Sequence, residues 1–162
     1  MNTTNDICNE VRVCKADIDE TAEAARKYFG IAYLYPWQRM VIANILEAAE
    51  EGERGNQIVL LPTGAGKSLC FMIPALLLNG PTLIIYPLLA LMNDQKRRLD
   101  EAKLDTVVFR GGQSEDERKE CFERIAKGAR FILANPEVLQ NQSLLKHLAD
   151  YRIAHIAIDE AH

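Results

Sequence analysis

The stretch LLPTGAGKSLCFMIPALLL, Leu60 to Leu78, decides how the rest of the chain is read. An apolar run, QIVLL at 57–61, leads into a glycine-bearing turn, and the turn opens an apolar helix from Gly66. In that context Thr63, Gly64, Ala65, Gly66, Lys67 and Ser68 form a loop whose backbone N–H groups can turn inward on a phosphate, at the positive end of the following helix. Lys67 would then reach the β and γ phosphates, and the Ser68 hydroxyl would be a ligand for Mg²⁺. The usual pattern G-x-x-x-x-G-K-[ST] asks for glycine at Leu61, but that position belongs to the strand end and cradles no phosphate. A glycine-rich turn with an incidental lysine is the competing reading. The order strand, turn, G-K-S and helix weighs against it.

Outward from this loop the pattern alternates. After the helix from Gly66 come TLIIY (82–86), a helix from Leu88 to Ala102, TVVF (106–109), a helix from Ser114, RFILA (130–134), a helix from Pro136 and IAHIAI (153–158). With 57–61 this makes five short β-rich runs separated by helices. Such a series predicts right-handed βαβ units and an α/β fold of three layers, a mostly parallel sheet with helices on both faces. Ser114 and Glu117 have capping-box spacing, and Gly128 ends the same helix. Upstream, 1–17 reads as a polar leader, and 18–50 holds two helices. The first runs from Ile18 to Phe29 with Asp17 as N-cap and Gly30 as its stop. The second opens at Pro36, with Trp37, Met40, Val41, Ile45 and Ala48 on one apolar face. Pro74 lies inside the helix after the loop, where proline removes one hydrogen bond and costs roughly 3 kcal/mol.

The second motif is IAIDEAH, Ile156 to His162, an apolar strand whose end presents two adjacent carboxylates. Beside a phosphate loop, Asp159 would hold Mg²⁺, usually through water, and Glu160 would position or activate an attacking water. Alone, acids at a strand end are equally a solvated turn. Joined to TGAGKS in one α/β pattern, they point to nucleoside triphosphate chemistry.

Bulk properties set the limits. The chain has 162 residues, room for one domain, with 48% hydrophobic and 26% charged residues, an ordinary globular composition. A net charge of −4 neither suggests nor forbids nucleic acid, which would have to be held by local groups. Cys8, Cys14, Cys70 and Cys121 make no C-x-x-C pair and the three histidines are scattered, so structural zinc is not expected and the thiols read as small buried hydrophobes. The N-terminus lacks the basic and apolar regions of a signal peptide, and no apolar stretch is long enough to span a bilayer, so a cytoplasmic location is expected.

Through TGAGKS and DEAH together the chain resembles a superfamily 2 helicase, and LPTGAGKSLCFMIPALL resembles the RecQ family of ATP-dependent DNA helicases. YFGIAYLYPWQ (Tyr28 to Gln38) is similar to that family's adenine-recognition motif, YPLLALMNDQ (Tyr86 to Gln95) to its motif Ia, and ANPEVL (Ala134 to Leu139) to the motif that follows. The resemblance implies a RecA-like first helicase domain using ATP and Mg²⁺, working 3′ to 5′ on DNA in recombination and repair. It implies adenine contacts from Tyr35 and Gln38, whose amide can both donate and accept. DNA contacts, to a single strand or a 3′-tailed duplex, would come from Pro87–Gln95 and Asn135–Leu139. The chain departs from the family at Tyr35, where arginine is general, at Tyr86, where serine is usual, and in FRGGQS (109–114).

The resemblance also implies further first-domain strands after DEAH, one of them between the DEAH strand and the phosphate-loop strand, and a second RecA-like domain with an arginine finger. The domain is therefore expected to be incomplete at its C-terminus, with negligible hydrolysis by this chain alone. Three alternatives stand beside this reading: a catalytically inert nucleotide- or nucleic-acid-binding fragment, an RNA-directed DEAD- or DEAH-box protein, and a P-loop kinase.

Overall fold

Runs of β-branched and large apolar residues separated by amphipathic segments pair as parallel strands, because each crossover carries a helix back over a sheet face. In the computed structural model, which describes residues 19–52 and 55–161, the order is α1 (Glu20–Phe29), α2 (Pro36–Glu50), α3 (Lys67–Leu77), β1 (Thr82–Ile85), α4 (Leu89–Glu101), β2 (Thr106–Phe109), α5 (Glu115–Ala126), β3 (Phe131–Ala134), α6 (Gln142–Ala149) and β4 (His155–Ile158). The strands form one parallel sheet in the order β2-β3-β1-β4, with Ile85 level with Ala134 on one side and Ile158 on the other.

Alternation along the strands builds two cores. Ile84, Tyr86, Phe131, Leu133 and Ala157 face Met72 of α3 and Met92 and Leu99 of α4. Leu83, Val107, Phe109, Ile132 and Ala134 face Cys121 and Ile125 of α5 and Leu144 and Leu148 of α6. A third cluster joins Ala24, Ala25, Leu34 and Ile42 to Ile73 and packs α1 and α2 onto α3. The architecture is the expected three-layer α/β fold. Burial of each such large side chain stabilises it by about 1.5–3 kcal/mol. Pro74 lies inside α3, which is buried from Cys70 to Ala75 except at Phe71.

Four expectations are corrected. The run at 57–61 is not a strand: Ile58 and Leu60 are each 90% exposed, and β4 is paired with β1 alone. A strand exists through its partner, and among the described residues no strand lies between β4 and this segment. The open side of β4 therefore carries unpaired backbone groups beside exposed Ile156 and Ile158.

The first helix is capped by Asp19, whose carboxylate accepts from the Ala22 N–H, whereas Asp17 and Ile18 lie outside the described residues, as do the rest of the 1–17 leader with Cys8 and Cys14, and His162. Gly30 closes this helix in the left-handed conformation, φ 66°, as a C-terminal stop should. On α2 the buried stripe runs through Gln38, Val41 and Ile42, because α3 covers that side; Met40 is exposed and Trp37 lies at the surface. Pro136 opens a turn and a short 3-10 segment, Val138–Gln140, and α6 starts later under an Asn141 cap that accepts from the Ser143 and Leu144 N–H groups. The Ser114 and Glu117 capping box forms in both directions.

Candidate nucleotide and metal site

The loop at 63–68 turns on two left-handed glycines, Gly64 at φ 84° and Gly66 at φ 73°, and Gly66 caps α3. Gly66 also lies under the Gln38 amide: a Cβ there would come within 2.5 Å of Gln38 Nε2 and displace it. Gln38, only 2% exposed, donates from Nε2 to the Gly66 carbonyl at 3.1 Å and the Ala65 carbonyl at 3.4 Å. Its Oε1 accepts from the Tyr35 N–H at 2.9 Å. The expected adenine-reading amide thus braces the phosphate loop against the start of α2, with all three hydrogen bonds made to backbone. Tyr35 stacks on Trp37 at 4.5 Å between ring centroids and meets Tyr33 edge-on at 6.1 Å, giving an exposed aromatic surface beside the loop.

Lys67 opens α3 and Ser68 follows it, so both side chains stand where the first N–H groups of the helix have no intrahelical partner. Across the sheet edge, the Lys67 ammonium donates to Glu160 Oε1 at 3.1 Å, closing the two motifs on each other over 93 residues of sequence. Glu160 holds this position in a left-handed backbone conformation, φ 52°, unusual for a residue with a side chain. The Asp159 carboxylate accepts from the Glu160 N–H at 3.1 Å. Burial, then the neighbouring Glu160 charge, raises the Asp159 carboxyl above its ordinary value.

The residues present suit Mg²⁺. Ser68 and Asp159 offer hard oxygen donors, one of them anionic, and a magnesium site with few protein ligands leaves its other positions to water and phosphate. Among the described residues no group of three or more His, Cys, Asp or Glu side chains gathers as a metal cage.

The two segments expected to meet DNA lie at the carboxyl ends of β1 and β3, on the edge where open α/β sheets bind ligands. Leu88 precedes α4 without a side-chain cap, and Leu88, Leu89 and Leu91 are exposed. The backbone N–H groups of that first turn can hold a phosphate. In the second segment Asn135 is buried, while Pro136 and Glu137 are exposed.

Sequence reading noted Tyr86 as a departure without assigning it a task. It sits fully buried between Asn135 and Asp159 at the sheet edge, its hydroxyl without a hydrogen-bond partner. Burial and then the Asp159 charge raise its ionisation well above the usual phenol range. The signal in the sequence was its place directly after β1, level with the DEAH strand end.

Three comparisons bear on this geometry. Residues 35–162 match the family model described as DEAD/DEAH box helicase. The chain is 35% identical over 136 residues to the ATP-dependent DNA helicase RecQ of Bacillus subtilis (strain 168), covering 83% of the chain and 22% of that relative. It is 35% identical over 145 residues to the ATP-dependent helicase wrn-1 of Caenorhabditis elegans (88% and 13%), and 33% identical over 150 residues to the RecQ of Synechocystis sp. (strain ATCC 27184 / PCC 6803 / Kazusa) (91% and 30%). The chain thus spans less than a third of the length of each of these curated relatives. Among solved structures it is similar to the DUF1998 helicase MrfA bound to DNA, with a TM-score of 0.60, 25% identity, and coverage of 80% of this chain and 18% of that one.

Proposed function

The chain belongs to the DEAD/DEAH box helicase family, and from that premise we propose that it supplies the ATP-binding half of a RecQ-type, 3′ to 5′ DNA helicase motor. The observation that carries this reading is the contact between Lys67 and Glu160, which joins the phosphate loop to the acidic strand end in one site. The RecQ-type relatives support DNA over RNA, and the DNA-bound state of the MrfA structure supports a nucleic-acid partner.

In this mechanism the loop N–H groups at 63–68 hold the β and γ phosphates, and Lys67 leaves Glu160 to meet them. Ser68 and Asp159 would hold Mg²⁺, which would supply positive charge against the transferring phosphoryl group. Glu160, released from Lys67, orients the attacking water by accepting its hydrogen bond. Tyr35 and its stacked neighbour Trp37 offer a face to adenine, while Gln38 holds the loop in shape rather than reading the base edge. The first turn of α4 and the 135–139 turn lie along the same sheet edge, so a strand tracking that edge feels the nucleotide state through β1, β3 and β4. A second motor domain, bringing an arginine to the γ-phosphate, completes the reaction; that group is typically worth 10³ to 10⁵ in rate.

Calorimetric titration of the chain with Mg·ATP tests the binding half, with Lys67→Ala expected to weaken affinity by at least about tenfold, the scale of one charged contact. Hydrolysis stimulated by single-stranded DNA tests the motor half once a second domain is supplied. There Glu160→Gln keeps ATP binding and abolishes turnover. Equal turnover in wild type and Glu160→Gln removes the water-orienting role, and unwinding of RNA duplexes in preference to 3′-tailed DNA removes the RecQ assignment.

A further inference from the structure

The loop at 63–68 and the aromatic surface beside it meet through one side chain. Gln38 directs its Nε2 at the Gly66 and Ala65 carbonyls, at 3.1 and 3.4 Å, and its Oε1 accepts from the Tyr35 N–H at 2.9 Å. With 2% of its surface exposed, the amide is enclosed between the loop and the start of α2. A bond from this amide to a base edge would replace a bond to the loop, so reading a base gains no contact and loosens the cradle. The next residue, Arg39, is turned to the Asp19 carboxylate of α1.

What the start of α2 presents outward is aromatic. Tyr35 and Trp37 are exposed, with ring centroids 4.5 Å apart and planes within 10° of parallel, and exposed Tyr33 stands at 89° to Tyr35. A base laid on this pair meets a π face, which every base also has, and such a contact carries no donor or acceptor pattern. The Tyr35 hydroxyl and the Trp37 N–H lie in the planes of their own rings, parallel to a stacked base, and point past its edge. The Tyr33 hydroxyl stands across that plane, but a hydroxyl donates or accepts as its partner requires, so it meets the amino group of adenine and the oxo group of guanine alike.

We propose that this site holds the base of its nucleotide by stacking on Tyr35 and Trp37 alone and does not select adenine, so that it takes purine nucleoside triphosphates as a class. This rests on the nucleotide-site reading above and goes beyond it in the range of substrates. Gln38 then bears on affinity only through the shape of the loop, equally for every base.

The test is calorimetric titration of the whole chain, in excess MgCl₂, with ATP, GTP and inorganic triphosphate, repeated on Tyr35→Ala. In wild type the ATP and GTP affinities are expected to differ by less than about tenfold, the scale of one good hydrogen bond. A preference of about tenfold or more for either nucleotide overturns the proposal. Tyr35→Ala is expected to weaken ATP and GTP together by at least about fivefold, the lower end for one base–aromatic stack, with inorganic triphosphate held within about twofold. A Tyr35→Ala chain that binds both nucleotides as wild type does, or that loses inorganic triphosphate as well, also overturns it. Wild-type chain that binds neither ATP nor inorganic triphosphate overturns the nucleotide-site reading itself, and is seen before any variant is made.

Discussion

Truncating Gln38 is expected to loosen the loop at 63–68. In Gln38→Ala the Tyr35 N–H and the Ala65 and Gly66 carbonyls lose their common partner, and a side chain only 2% exposed leaves a cavity. Two of the three bonds have good length, at 2.9 and 3.1 Å, and the third, at 3.4 Å, is marginal. At about 1 kcal/mol for each good bond and about 1 kcal/mol for the void, the loss of stability is about 3 kcal/mol.

Gln38→Glu separates the terms. Its carboxylate can still accept from Tyr35, but at neutral pH it faces two carbonyl oxygens with no proton to give, so the loss exceeds that of alanine. Its folded-state ionisation is thereby raised, and the sign follows: stability recovers as pH falls, when the protonated acid donates again, and is lost as pH rises. The single tryptophan, Trp37, adjoins the brace and reports urea unfolding by fluorescence. A loss under about 0.5 kcal/mol for Gln38→Ala, or a Gln38→Glu chain as stable as wild type at pH 7, refutes the reasoning.

Gly66→Ala is expected to cost about 2 kcal/mol, from the left-handed φ and the approach to Gln38, and to weaken ATP binding in the same calorimetric titration. Asp19→Ala is expected to cost about 1 kcal/mol at pH 7 in urea titration, since Asp19 caps α1 and pairs with Arg39. Hydrogen bonds from Thr21 and Arg39 hold the Asp19 carboxyl down to about 2, so its contribution is complete above about pH 4 and fades as pH falls through about 2; a wild-type advantage that persists below pH 2 contradicts this.

Both motifs and the layer order were legible in the sequence because each is written locally. A glycine pair before a lysine specifies its turn, and TLII, TVVF and FILA carry the period and β-branching of buried parallel strands. The segment at 57–61 has the same character and forms no strand, because pairing depends on what lies alongside it. Pro136 fits a helix start as well as a turn, and only the Asn141 cap, whose carboxamide meets two N–H groups, decides where α6 begins. The brace from Gln38 to the loop joins residues 28 apart, and nothing in either segment alone announces it. Nor does spacing reveal the row of Asn135, Tyr86 and Asp159, which appears only once the strand order is known.

The left-handed backbone at Glu160 bears on how this chain can be improved. A residue with a Cβ held there costs about 1–2 kcal/mol relative to glycine, and an unbiased screen for heat tolerance would select its replacement by glycine or asparagine. Such winners would lose the acid facing Lys67. A library selected on melting temperature alone would thus drift toward robust molecules without the Lys67–Glu160 contact, so a selection meant to keep the role proposed for Glu160 has to hold this position fixed.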